Sequence, residues 1–99
     1  MSLQEITDQM RTRVGTGAGL NKSVKFDFGS DGVVRIDDAS SPAVVDNQDL
    51  PVDCTVRVTM DDFKEIATGK QNAQMAFMMG KLKVDGDMSV ALQLGKILG

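Results

Sequence analysis

The chain has no histidine, tryptophan or tyrosine, one cysteine and two prolines. Without histidine it lacks the usual proton carrier near pH 7 and the commonest metal ligand. Ser–His and Cys–His nucleophile pairs are excluded for the same reason. Cys54 cannot close an internal disulfide or assemble a zinc site unaided, which fits a reducing compartment. No apolar run approaches the roughly 18 residues a membrane span needs. The net charge is −3 and the basic residues are scattered, so the chain carries no block that would track a phosphate backbone, and nucleic acid is not an expected partner. The opening Met1-Ser2-Leu3-Gln4-Glu5 has neither a basic nor an apolar signal region, so no secretory leader is expected.

What is present suits one soluble domain over residues 1–99, with 41% hydrophobic and 25% charged residues. Ser2 and Glu5 form a capping-box pattern, and Leu3, Ile6, Met10 and Val14 then recur at helical spacing. Gly15-Thr16-Gly17-Ala18-Gly19 ends that helix. A dinucleotide loop would need a strand before the glycines and a helix after them, and the order here is reversed. Val24, Phe26 and Phe28 alternate with polar residues as a strand, and Gly29-Ser30-Asp31-Gly32 turns the chain into a second strand through Val34 and Ile36. Residues 37–51 are mainly loop, with a short strand at Ala43-Val44-Val45. Cys54, Val56, Val58 and Met60 alternate cleanly, which places Cys54 on an apolar face as a structural, buried thiol.

At Thr59 the period becomes helical, with Asp61 and Asp62 against the positive end of the dipole and Phe63, Ile66 and Ala67 as the inner face. Thr68-Gly69-Lys70 lacks the earlier glycine of a phosphate loop, and Gly69 is a helix stop. Asn72 caps a short helix through Met79, Leu82 and Val84 mark a strand, and Asp87 caps a last helix, Met88 to Leu98. That helix carries two apolar stripes, one of Met88, Ala91, Leu92 and Leu98 and one of Val90, Leu94 and Ile97. A surface helix ordinarily shows one. The second must be covered by the core, a partner chain or an apolar ligand.

Four of the seven methionines, Met75, Met78, Met79 and Met88, fall within fourteen residues. Methionine fills irregular gaps in a core, and it also lines pockets that repack around guests of different shape. An acyl chain needs on the order of 300 Å³. A rigid empty void of that size would cost roughly 7 kcal/mol, comparable with the stability of a small domain. Such a pocket is therefore filled, wet or collapsed when the guest leaves.

The spaced run Asp62-Phe63, Ile66, Gly69-Lys70, Asn72, Ala76-Phe77, Gly80-Lys81-Leu82-Lys83-Val84, Gly86-Asp87-Met88, Ala91 and Leu94 resembles the C-terminal half of the sterol carrier protein 2 domain family. Weaker similarity runs in order through the rest of the chain. The resemblance implies an α+β fold: one five-stranded, mostly antiparallel sheet covered on one face by four to five helices, with an apolar tunnel between the layers. It also implies low-selectivity binding of fatty acids, fatty acyl-CoA, sterols or phospholipids, with no cofactor and no catalysis. Carried over by position, Phe63, Ile66, Met75, Phe77, Met78, Met88 and Leu92 are the lipid-lining set, with Phe26 and Phe28 on the sheet side. Ala73 stands where the family often has proline. The C-terminal Ile97-Leu98-Gly99 is not a peroxisomal tripeptide, so a cytoplasmic protein is expected. The expected partners are a lipid and transient membrane contact, for a monomer with a homodimer left open. The alternative is an interaction or dimerisation module docking through Val90, Leu94 and Ile97, accessory to a lipid-metabolising enzyme.

Overall fold

The structure, a computed structural model, describes residues 2–17 and 19–94. Helix α1 spans Leu3–Val14. The Ser2 hydroxyl accepts from the Glu5 backbone N–H at 3.2 Å, and the Glu5 carboxylate accepts from the Ser2 N–H at 3.4 Å, completing the capping box. Ile6, Met10 and Val14 turn inward with Thr7, whose hydroxyl donates to the Leu3 carbonyl and accepts from the Asn47 amide. The one buried hydroxyl on this helix therefore has its partners.

Five strands follow: β1 (Ser23–Asp27), β2 (Val33–Asp37), β3 (Val44–Asp46), β4 (Cys54–Val58) and β5 (Leu82–Gly86). They form an open sheet in the order β3-β2-β1-β4-β5, with β1 and β4 parallel and every other pair antiparallel. A single 3-10 turn at Gly29–Asp31 closes the β1–β2 hairpin. Strand β3 begins one residue later than the sequence suggests and runs to Asp46, because Arg35 on β2 holds Asp46 there with two hydrogen bonds, at 3.0 and 2.6 Å.

Register makes the sheet two-sided. Val24 lies between Ile36 and Cys54, and Phe26 between Val34 and Val56, so alternate residues gather on one buried face. The opposite face carries ion pairs: Arg35 with Asp46 and Asp37, Arg57 with Asp85 and Asp27, and Lys25 with Asp49. Arg35 holds the Asp46 carboxyl below its ordinary range through their hydrogen bonds. Helices α2 (Met60–Ala67), α3 (Ala73–Met78) and α4 (Met88–Leu92) complete the apolar side with α1.

The caps at Thr59, Asn72 and Asp87 stand where the sequence places them. The last helix is shorter than expected, ending at Leu92 with Gln93 as its cap, and residues 95–98 of the expected helix lie outside the described residues. At the end of β5, a side chain on Gly86 would stand 2.4 Å from the Asp53 carbonyl oxygen, at a φ of +103°. Only glycine lets β5 press that closely on the start of β4.

Candidate functional site

Beneath α2 the interior is filled by aromatic rings. Phe63 meets Phe26 edge-on at 5.6 Å and Phe28 at 5.2 Å, the arrangement ring quadrupoles favour. Ile66, one turn further along α2, joins the same core. Beside them a cavity of about 10 Å³ lies between Ile6, Gln9, Met10, Arg13, Phe63 and Ala67. It is far smaller than an acyl chain requires, so a guest entering there must push α1 and α2 apart. A wider open groove, about 440 Å³ and edged by Asp8, Gln9, Thr12, Arg13, Ala67 and Thr68, lies over the same pair of helices. Five of its six lining residues are polar, although their carbon stems and Ala67 make most of the lining surface apolar.

Most of the large exposed apolar side chains lie elsewhere. Helices α3 and α4 both pack on β5. On α3 only Ala76 is fully buried. At about 100° per residue, Phe77 and Met75 flank Ala76 on either side and Met78 points nearly opposite to it. Met78 is 81% exposed, and Met75, Phe77 and the capping Met79 are about half exposed or more. On α4 the two apolar stripes separate: Val90 and the following Leu94 are buried, while Met88 is about half exposed and Leu92 is 82% exposed.

The structure thus divides the sequence-derived lining set. Phe26, Phe63 and Ile66 are core residues with almost no exposed surface, and Phe28 joins them. Met75, Phe77, Met78, Met88 and Leu92 lie exposed on the two helices that flank β5. Met79 belongs with them, and its place in the methionine run is the signal that could have found it. The dimerisation alternative loses its surface, because Val90 and Leu94 are consumed by the protein's own core. Ile97, its third residue, lies outside the described residues.

Helix α4 is fastened at its start. The Asp87 carboxylate accepts from the Ser89 backbone N–H at 2.9 Å and from its hydroxyl at 2.6 Å, and it pairs with Lys22 from the β1 side of the sheet. These interactions, that with Lys22 foremost, hold the Asp87 carboxyl down at about 2. The Asp87 N–H in turn donates to the Asp53 carbonyl at 2.8 Å. Cys54 is fully buried on the sheet, and burial pushes its thiol up, which makes it a poor nucleophile. Among the described residues, no three of His, Cys, Asp and Glu converge as metal ligands would.

Comparison with known proteins gives four findings. The SCP-2 sterol transfer family matches residues 14–99. The non-specific lipid-transfer protein-like 1 of Caenorhabditis elegans is 33% identical over 102 aligned positions, covering 94% of this chain and 86% of the worm protein. Human sterol carrier protein 2 is 44% identical over 52 residues, which are 52% of this chain and only 10% of the human protein. The chain therefore matches a small part of that longer relative. In three dimensions the palmitated SCP2L2 of Aedes aegypti superimposes with a TM-score of 0.69 at 22% identity, over 99% of this chain and 95% of the mosquito protein.

Proposed function

The chain belongs to the SCP-2 sterol transfer family, and from that premise we propose that it is a non-enzymatic carrier of lipids that takes an acyl chain or sterol against the apolar sides of α3 and α4. The observation that carries this reading is the surface made by Met75, Phe77, Met78, Met79, Met88 and Leu92. Scattered apolar residues on a surface mean little, but six concentrated on two short helices packed on one edge strand support a binding site there.

Four of those six side chains are methionines. Their flexible thioethers repack around guests of different outline, which suits fatty acids, fatty acyl-CoA, sterols and phospholipids taken with little selectivity. Branched residues would fix one shape. The guest's apolar part would lie against these side chains, with any polar head left toward water. Burying roughly 200 Å² of its apolar surface yields about 5 kcal/mol before association costs, consistent with affinities near micromolar. The palmitate in the mosquito protein's name fits this ligand class. The chain lacks histidine, and its one thiol is buried in the sheet, so the site offers binding and no evident chemistry.

Native mass spectrometry of the protein purified from cells, followed by lipid extraction, tests this reading. Bound lipid is expected, together with saturable displacement of a fluorescent fatty acid that Met88→Gln and Leu92→Gln weaken several-fold. Protein that carries no lipid and binds no fluorescent fatty acid refutes it.

A further inference from the structure

Charge around α3 differs from charge elsewhere. Between Glu65 and Asp85 the sequence holds three lysines, Lys70, Lys81 and Lys83, and no acidic residue, in a chain with 14 acidic residues and a net charge of −3. The cations on the polar face of the sheet, Lys25, Arg35 and Arg57, all have carboxylate partners. Among the described residues, Lys70, Lys81 and Lys83 have none, and all three are exposed. The acids nearest in sequence are already engaged: Asp62 and Glu65 accept from the Gln71 amide, and Asp85 accepts from Arg57.

These free charges frame the apolar helix. Lys70 lies two residues before the Asn72 cap of α3, and Lys81 lies two residues after its Met79 cap. The six residues of α3 are about 9 Å long, so its exposed methionines sit between cations at both ends. Apolar side chains that can sink past headgroups, bordered by cations that can meet anionic phosphates, are the two components of an interfacial anchor.

We propose that α3, through Met75, Met78 and Met79 with Lys70 and Lys81, docks the protein on the surface of an anionic lipid bilayer. A second copy of the chain fits the same surface poorly. A twofold interface would bring each set of lysines against its own equivalent, like charge facing like charge with no acid between. Lys83, opposite Arg57 in the β4–β5 register, lies on the polar face of the sheet and is not part of this surface. The docking shares Met75, Met78 and Met79 with the proposed lipid site, but its need for Lys70, Lys81 and anionic headgroups is separate from that reading.

The test is flotation of the full chain with vesicles of phosphatidylcholine alone or mixed with phosphatidylglycerol, at low and high sodium chloride. Binding should require phosphatidylglycerol and weaken as salt rises. Lys70→Gln and Lys81→Gln should each weaken it about fivefold. Met75→Gln, Met78→Gln and Met79→Gln together should weaken it by roughly tenfold or more. Melting followed by circular dichroism confirms that the variants stay folded, and the lysine changes remain decisive if the methionine triple change does not fold.

Equal binding to neutral vesicles, no binding, or binding lost through Arg13→Gln on α1 while the α3 variants bind normally would each overturn the proposal. So would a dimer that the methionine changes dissociate while vesicle binding stays unchanged. Fatty-acid displacement on the same samples separates the two readings. Vesicle binding without fatty-acid binding leaves the docking surface and removes the carrier, and the reverse result removes the docking surface alone.

Discussion

At the β2–β3 end of the sheet, α1 turns Ile6, Met10 and Val14 inward and leaves Gln4, Glu5, Asp8 and Gln9 to water. At the β5 end, α3 turns only Ala76 fully inward and leaves Met75, Phe77 and Met78 outside. Both helices have capped starts, α1 by Ser2 and α3 by Asn72, whose side chain accepts from the Gln74 and Met75 N–H groups. Local backbone chemistry therefore does not separate them. The first helix spends its apolar residues on folding, whereas the second holds most of its own outside the core, where they contribute little to stability. Function is to be sought at the end whose apolar surface the fold leaves uncovered.

The sharpest break of this comparison uses two phenylalanines. Phe63 is wedged against the rings of Phe26 and Phe28 and is 3% exposed, so Phe63→Ala should cost about 3–5 kcal/mol and leave much of the protein unfolded. Phe77 stands on α3 and is 46% exposed, so Phe77→Ala should cost less than about 1.5 kcal/mol. Urea titrations of the two variants with similar slopes read the difference directly. Equal losses would show that the β5 end is as much core as the rest.

These two residues also show what was legible in the sequence. Strand alternation, the caps and the helix starts followed from local rules, because Ser2, Thr59, Asn72 and Asp87 each stand directly before an apolar periodic run. The division of the lining set was not legible. Phe63 and Phe77 both sit on short amphipathic helices, and periodicity marks which residues share a face without saying whether that face meets a layer or water. The answer depends on sheet order. β1 lies in the middle, so Phe26 and Phe28 wait beneath α2, while β5 lies at the edge, so α3 has little beneath it. Val90 and Met88 differ for a related reason, since the turn at Gly86 and the Asp87 cap fix which stripe of α4 faces the sheet.

A smaller effect probes how α4 is held at that edge. The Asp87 carboxyl lies at about 2 in the folded protein against an ordinary 3.8, a depressed value. Its contribution is therefore present above pH 3.8 and is lost as pH falls through about 2. The Lys22 ammonium is raised by the same partner, so the shared contribution is complete below its ordinary 10.5 and fades as pH climbs beyond that. Asp87→Asn keeps a capping side chain but removes the charge. Its melting temperature should fall below that of the parent protein by a constant margin at intermediate pH, and the margin should close on approaching pH 2. A margin unchanged across the acid range would mean that the Lys22–Asp87 pair does not fasten the helix.

The smallest effect is expected where exposure is greatest. Leu92 and Met78 are 82% and 81% exposed, so Leu92→Gln and Met78→Gln remove little buried surface and leave no partner unsatisfied. Each should change stability by no more than about 0.5 kcal/mol. Ile6→Gln on α1 serves as the contrast: it places a polar amide in a position 1% exposed and should destabilise by several kcal/mol. Chemical denaturation of the three variants without lipid places the boundary between folding surface and binding surface. If Leu92→Gln were as damaging as Ile6→Gln, the outer stripe of α4 would have to be packed against protein in solution. Its apolar character would then belong to the core, and the contrast between the two ends of the sheet would vanish.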